Sequence, residues 1–156
     1  MPKIEVNEEI FFTLADPAGK GSRWNTKEEF EEALSCAKAE LDSDLWSADS
    51  DKNLPVSEHV LKIELNDTNR PDLWGTAGCA RQLRVYHGGK IPEYPFFSRA
   101  GNVTKATRKV KVETSIRQVR PFLAGFVASG KAISDPALRD MIQTQEKLAW
   151  NFGRKR

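Results

Sequence analysis

Pro71 constrains the fold of this chain more than any other residue, because it separates a run patterned as a strand from a run patterned as a helix. Before it, Val60, Leu61, Ile63 and Leu65 surround Lys62 and Glu64, a mostly alternating, β-branched-rich pattern that reads as a half-buried strand. Proline fixes its own φ near about −65° and disfavours the helical region for the residue before it, so the chain must turn at Arg70 before a helix can begin. Asn66, Asp67, Thr68, Asn69 and Asp72 offer acceptors to the free N–H groups of a turn and of a first helical turn, and Asp72 complements the helix dipole. Leu73, Ala77, Ala80 and Leu83 or Arg84 follow at helical spacing, with the small Gly78 and Cys79 leaving room for another element to approach. Asn69-Arg70-Pro71-Asp72 therefore reads as a rigid corner first and as a site second. Arg70 can pair with a carboxylate or phosphate, or tie the turn to carbonyls.

Upstream, Lys3 to Val6 predicts a short strand, and Asn7 caps a helix through Leu14 that buries Ile10, Phe11 and Leu14. Asp16, Pro17, Gly19, Gly21 and Ser22 make a loop. Thr26 opens a second helix with Glu29 in capping-box position, and Phe30, Ala33, Leu34, Ala37 and Leu41 form its buried stripe. Ser43 to Pro55 reads as an exposed loop. Downstream of the corner, His87-Gly88-Gly89 stops the helix, and Pro92, Pro95 and Gly101 mark an irregular stretch. Lys109 to Glu113 alternates as a strand with one basic face, Thr114 to Val119 makes a short helical turn, and Phe122 to Ala128 reads as a more fully buried strand. Asp135-Pro136 opens a last helix burying Leu138, Ile142, Gln145 or Leu148, and Phe152, and ending at Gly153 before Arg154-Lys155-Arg156. The fold class predicted is α+β: a small helical domain with a short, winged-helix-like sheet over residues 1–88, a linker over 89–107, and the incomplete start of a second α+β domain over 108–156.

A chain of 156 residues suits one domain, or one with a second begun. No run approaches membrane-spanning length and the amino terminus lacks a secretory layout, so a cytoplasmic location is expected. Cys36 and Cys79 lack paired metal spacing and read as packed, reduced thiols. The net charge of +2 hides an asymmetry: residues 1–72 hold 8 Lys/Arg against 17 Asp/Glu, and residues 73–156 hold 16 against 5. Either the basic part faces a polyanion or an acidic protein surface, or the two halves complement each other.

Signatures of catalysis are missing from the sequence. It has no glycine-rich phosphate loop, no His-x-x-x-His and no Gly-x-Ser-x-Gly, and His59 and His87 stand alone. Trp24, Trp46, Trp74 and Trp150, with Phe96 and Phe97, are not interleaved with cations in one platform, which favours core or interface packing over base stacking. No residue is assigned to catalysis, cofactor or metal. The structural motif is Asn66, Asn69, Arg70, Pro71 and Asp72, and the residues suited to nucleic-acid or subunit contact are Arg81, Arg84, Lys109 and Lys111.

The run from Lys62 to Arg84 resembles the first conserved block of the beta subunit of phenylalanine–tRNA ligase in its archaeal and eukaryotic form: a hydrophobic strand, Asn-Arg-Pro-Asp-Leu, then a helix ending in Ala-Arg-x-Leu-Arg. Met1-Pro2-Lys3-Ile4-Glu5-Val6 with Glu8 to Leu14, and Glu28-Glu29-Phe30-Glu31-Glu32 with Ala39-Glu40-Leu41-Asp42, are similar to that subunit's amino terminus. Ile116-Arg117-Gln118-Val119-Arg120-Pro121-Phe122, Gln145-Glu146-Lys147-Leu148 and Gly153-Arg154-Lys155-Arg156 resemble the passage into its next, editing domain. The chain departs from the family at Ala77, where Glu is usual before the glycine, and at Ala149, where His is common. The resemblance implies an enzyme of two alpha and two beta subunits that uses ATP and Mg2+ to esterify phenylalanine to tRNA(Phe). Its active site lies on the alpha subunit, and this segment would bind no cofactor and serve as scaffold. The alternative reading is a free-standing, winged-helix-like nucleic-acid-binding module using the basic face of residues 105–120 and the helix of Arg81 and Arg84.

Overall fold

The computed structural model describes residues 3–16, 24, 26–42, 55–67, 69–91, 93, 109–123, 125, 127, 129, 130, 132–151 and 153. The loops expected around Pro17 to Ser22 and Ser43 to Leu54, most of the expected linker, and Trp46, Phe96, Phe97, Phe152 and Arg154 to Arg156 lie outside them. The chain divides into two compact units, one formed by Met1–Ile91 with Ile133–Arg156 and the other by Pro92–Ala132.

The first unit is α+β. Along the chain run β1 (Lys3–Asn7), α1 (Glu8–Ala15), α2 (Lys27–Leu34), β2 (Ala39–Leu41), β3 (Val60–Leu65), α3 (Thr76–Tyr86) and α4 (Asp135–Asn151). The three strands form an antiparallel sheet in the order β1-β3-β2, with Ile4 opposite Ile63 and Ala39 opposite Leu65. Strand side chains alternate between faces, so Ile4, Val6, Leu61, Ile63 and Leu65 point into the core while Lys3, Glu5 and Lys62 face outward. On the outer face Lys3 reaches Asp42 at 2.7 Å and Glu64 at 3.3 Å.

Local signals are obeyed at both early helices. Asn7 accepts a hydrogen bond from the Ile10 N–H at 3.1 Å, and Thr26 accepts one from the Glu29 N–H at 3.2 Å. Each such cap contributes about 1 kcal/mol. The buried face of α1 is rotated from the one expected: Glu8, Phe11, Phe12 and Ala15 are buried and Leu14 is exposed. Positions 8, 11, 12 and 15 share one helical stripe, and α1 packs that stripe on α3 as well as on the sheet. Leu41 is not the end of the α2 stripe. Lys38 adopts a left-handed conformation with φ 49° after a short 3-10 turn, Ser35–Ala37, and the residues beyond it pair with β3 as a strand.

The last helix also differs from expectation. α4 packs on β1 within the first unit, so Ile133–Arg156 groups with Met1–Ile91, whereas the sequence places residues 108–156 in one following domain. The helix turns its polar residues inward, where they make hydrogen bonds that apolar side chains cannot make. Leu138, Ile142 and Leu148, expected in a core, are consequently exposed, as is Gln145.

In the second unit Thr114–Gln118 forms the short helical turn expected. Lys109 to Glu113 and the described positions from Phe122 to Val127 are irregular rather than strands, and Phe122, with 92% of its surface exposed, is not a core residue. A strand requires a neighbour for its N–H and C=O groups, and among the described residues of this unit there is none.

Candidate functional site at the corner between β3 and α3

β3 ends at Leu65 and α3 begins at Thr76, and polar groups of the ten residues between them hold the turn. Asn66 donates from its side chain to Glu40 Oε1 at 2.5 Å, and its backbone N–H donates to the Lys38 carbonyl at 2.9 Å, fastening the corner to β2. The Asn69 N–H donates to Asp67 Oδ1 at 2.9 Å, an Asx turn. Pro71 opens the 3-10 turn Pro71–Leu73, where its missing N–H costs nothing.

Arg70 lays its guanidinium on Asp72, Nε to Oδ1 at 2.9 Å and Nη2 to Oδ2 at 2.7 Å. Its Nη2 also donates to Gln82 Oε1 at 3.2 Å, and Gln82 Nε2 donates in turn to the Cys36 carbonyl at 3.4 Å. The corner is thus tied to α3 and to the turn after α2. Hydrogen bonding from Arg70 holds the Asp72 carboxyl below the usual carboxylate range and raises Arg70 above the usual arginine value. Both side chains are about two-fifths exposed, so the pair is solvent-screened and weak as a source of stability.

The sign of the resulting pH dependence follows from Asp72. Its folded pKa is depressed, so its contribution is complete above the ordinary carboxylate pKa and is lost as pH falls through the lowered value. Arg70→Ala is expected to move the Asp72 titration, followed by side-chain carboxyl NMR, back up toward the ordinary range. The variant's stability deficit should fade in acid; an unmoved titration would show that the guanidinium does not govern this carboxylate.

Three residues that carry no motif complete the arrangement. Gly78 sits with its Cα against the Asp72 carbonyl, so that a Cβ there would overlap that oxygen. α3 begins after Gly75, which has no side chain to cap it, and Asp140 of α4 supplies the cap: its Oδ1 accepts from the Thr76 N–H at 3.2 Å and from Thr76 Oγ1 at 2.5 Å. Gln143 of α4 joins the same clamp to the sheet. The Glu5 N–H donates to Gln143 Oε1 and Gln143 Nε2 donates to the Glu5 carbonyl, both at 2.8 Å. No local pattern foretells these contacts, because 64 residues separate Asp140 from Thr76 and 138 separate Gln143 from Glu5.

Arg81 and Arg84 lie on α3 and are half-buried, Arg81 near enough to Asp72 to lower its pKa further. Lys109 and Lys111 are exposed in the other unit. His59 is buried and its Nδ1 lies 3.7 Å from Glu8 Oε2, a pairing the sequence hides because the two residues stand 51 positions apart. Cys36 and Cys79 are free thiols; burial raises Cys36 and pushes Cys79 up to about 12. Among the described residues no three His, Cys, Asp or Glu are grouped to hold a metal ion, and no helix is long and apolar enough to cross a membrane. A cleft of about 560 Å3 between β1 and α4 is lined by Glu5, Ser57, Glu58, Asp135, Arg139 and Asp140 among others.

A corner fastened in this way is a joint, and proteins of known identity share the chain's sequence and fold. The chain is similar to subunits of aminoacyl-tRNA synthetases. Its relatives are, in particular, beta subunits of phenylalanine–tRNA ligase: it is 42% identical over 156 residues to that of Borreliella afzelii and 41% identical over 186 residues to that of Treponema pallidum, with the whole chain matched in both. It spans about a quarter of the length of the first of these and 30% of the second. No family model matches. Among solved structures, an N-terminal fragment of the phenylalanyl-tRNA synthetase beta subunit from Pyrococcus horikoshii superposes with a TM-score of 0.68 at 31% identity, covering 99% of this chain and 39% of that one.

Proposed function

We propose that this chain is the amino-terminal part of a phenylalanine–tRNA ligase beta subunit, in which it scaffolds and assembles while catalysis lies elsewhere. The whole enzyme would attach phenylalanine to tRNA(Phe) with ATP and Mg2+, in the cytoplasm, as two alpha and two beta subunits. The observation that carries the reading is the match of the entire chain to beta subunits, with the agreeing P. horikoshii fragment. The corner supports the scaffold part, since Arg70 and Asp72 are directed at each other, and Arg70 also at Gln82, rather than into the cleft. Lys109 and Lys111, exposed, and Arg81 and Arg84 on α3 are the residues assigned to tRNA or alpha-subunit contact.

The 156-residue chain is expected to copurify with an alpha subunit and to be inert both in phenylalanine-dependent ATP–pyrophosphate exchange and in deacylation of Tyr-tRNA. Turnover by the chain alone in either assay would end the scaffold reading. Tight, steeply salt-dependent binding of duplex DNA without an alpha subunit would instead make it a free-standing nucleic-acid module.

A further inference from the structure

We propose that Arg84 is the anchor by which this chain takes a single carboxylate of the alpha subunit, an inference that rests on the reading just given and narrows it. Arg84 stands in the last turn of α3, and its stem is held by the chain that follows. Gly88 has φ 92°, the Gly89 N–H donates to the Arg84 carbonyl at 2.8 Å, and a Cβ on Gly89 would stand 2.7 Å from Arg84 Cγ. Arg84 Nε is buried, and among the described residues no acceptor meets it. Buried donors are usually paired, and an unpaired one destabilises the fold that keeps it. The residue as a whole stays partly exposed, so its Nη end is the part open to an acceptor from outside. A guanidinium whose stem is already fixed loses little freedom on pairing, and its fork matches a carboxylate through two parallel bonds. Charge decides between a carboxylate and a phosphate backbone. Residues 1–91 and 133–156, which form the first unit, hold 16 Lys/Arg against 20 Asp/Glu, a net of −4. A polyanion is held by several cations acting together, whereas Arg81, the other arginine of this helix, lies beside Asp72. One carboxylate needs one guanidinium.

The test is the affinity of the 156-residue chain for the alpha subunit of the same organism, by titration calorimetry, with a thermal melt of each chain alone. Arg84→Met keeps a long stem and removes the donors. It is expected to weaken the affinity about 30-fold, as removal of one side of a hydrogen-bonded charge pair does. The melt of the isolated variant should stay level or rise, because an unpaired buried donor has gone. Arg84→Lys keeps the charge without the fork and should lose most of the same affinity. Lys90→Met, which removes an exposed cation beyond the turn, is the control and should lose less than about threefold. Unchanged affinity in Arg84→Met overturns the anchor and leaves the family reading in place. A melt that falls together with the affinity also overturns it, since the arginine would then be holding the fold. Binding of tRNA(Phe) by the isolated chain that Arg84→Met weakens would make a phosphate the occupant and end the carboxylate. Failure of the unaltered chain to bind the alpha subunit at all counts against the assembly reading, and the anchor falls with it.

Discussion

Gly78→Ala is expected to destabilise the first unit by about 1–3 kcal/mol, the usual cost of forcing a methyl into filled space. In an ordinary helix interior the same change adds about 1 kcal/mol of stability, so the sign itself is diagnostic. The difference arises because the new Cβ meets the Asp72 carbonyl, a backbone oxygen that cannot swing aside as the end of a side chain would. Relief requires α3 to move off the 3-10 turn, and that movement strains the Arg70–Gln82 contact and the cap from Asp140. At roughly 2–4 °C per kcal/mol for a chain of this size, the midpoint in a thermal melt should fall by several degrees. A rise would show that the corner is loose enough to yield.

Phe30→Ala should have a larger effect, about 3–5 kcal/mol, from lost burial together with the cavity left behind. Phe30 is fully buried, and its ring lies 5.8 Å from that of Phe11, 5.4 Å from Phe12 and 5.2 Å from Trp24, centre to centre. Three rings would lose their common neighbour, and the gap lies where α1 and α2 meet over the sheet. Phe122→Ala is the internal control. With 92% of its surface exposed, it should shift a denaturant midpoint hardly at all, within about 0.5 kcal/mol. Similar losses for the two variants would mean that the aromatic cluster is not the core of the domain.

Features that the sequence made legible are those with a local physical cause. Pro71, the Asn7 and Thr26 caps and the His87-Gly88 stop act over a few residues, and each sits where expected, with Gly88 at φ 92° just beyond α3. β3 was readable because both its neighbours leave one face dry and the other wet, and alternation follows. β2 was not readable, since three residues continue the period of the preceding helix and only pairing with β3 makes them a strand. The stripe of α4 was identified correctly as apolar but assigned the wrong surroundings. Periodicity states which residues share a side; what lies against that side depends on Thr76 and the Glu5 backbone, far away in sequence. The corner was recognised by its spelling, whereas Gln82, Asp140 and Gln143, which hold it in place, belong to no pattern.

One side-chain amide has a consequence for how this protein behaves in a crowded solution. β1 is an outer strand of its sheet, and backbone groups turned away from β3 at such an edge pair with any extended chain unless something covers them. Gln143 occupies the N–H and the C=O of Glu5 together, as a neighbouring strand would, but brings no further strand with it. The sheet is closed at that border by a residue from the far end of the sequence. A ribosome that has made residues 1–91 and not yet α4 therefore holds a nascent sheet with an open border, which α4 shuts once it emerges.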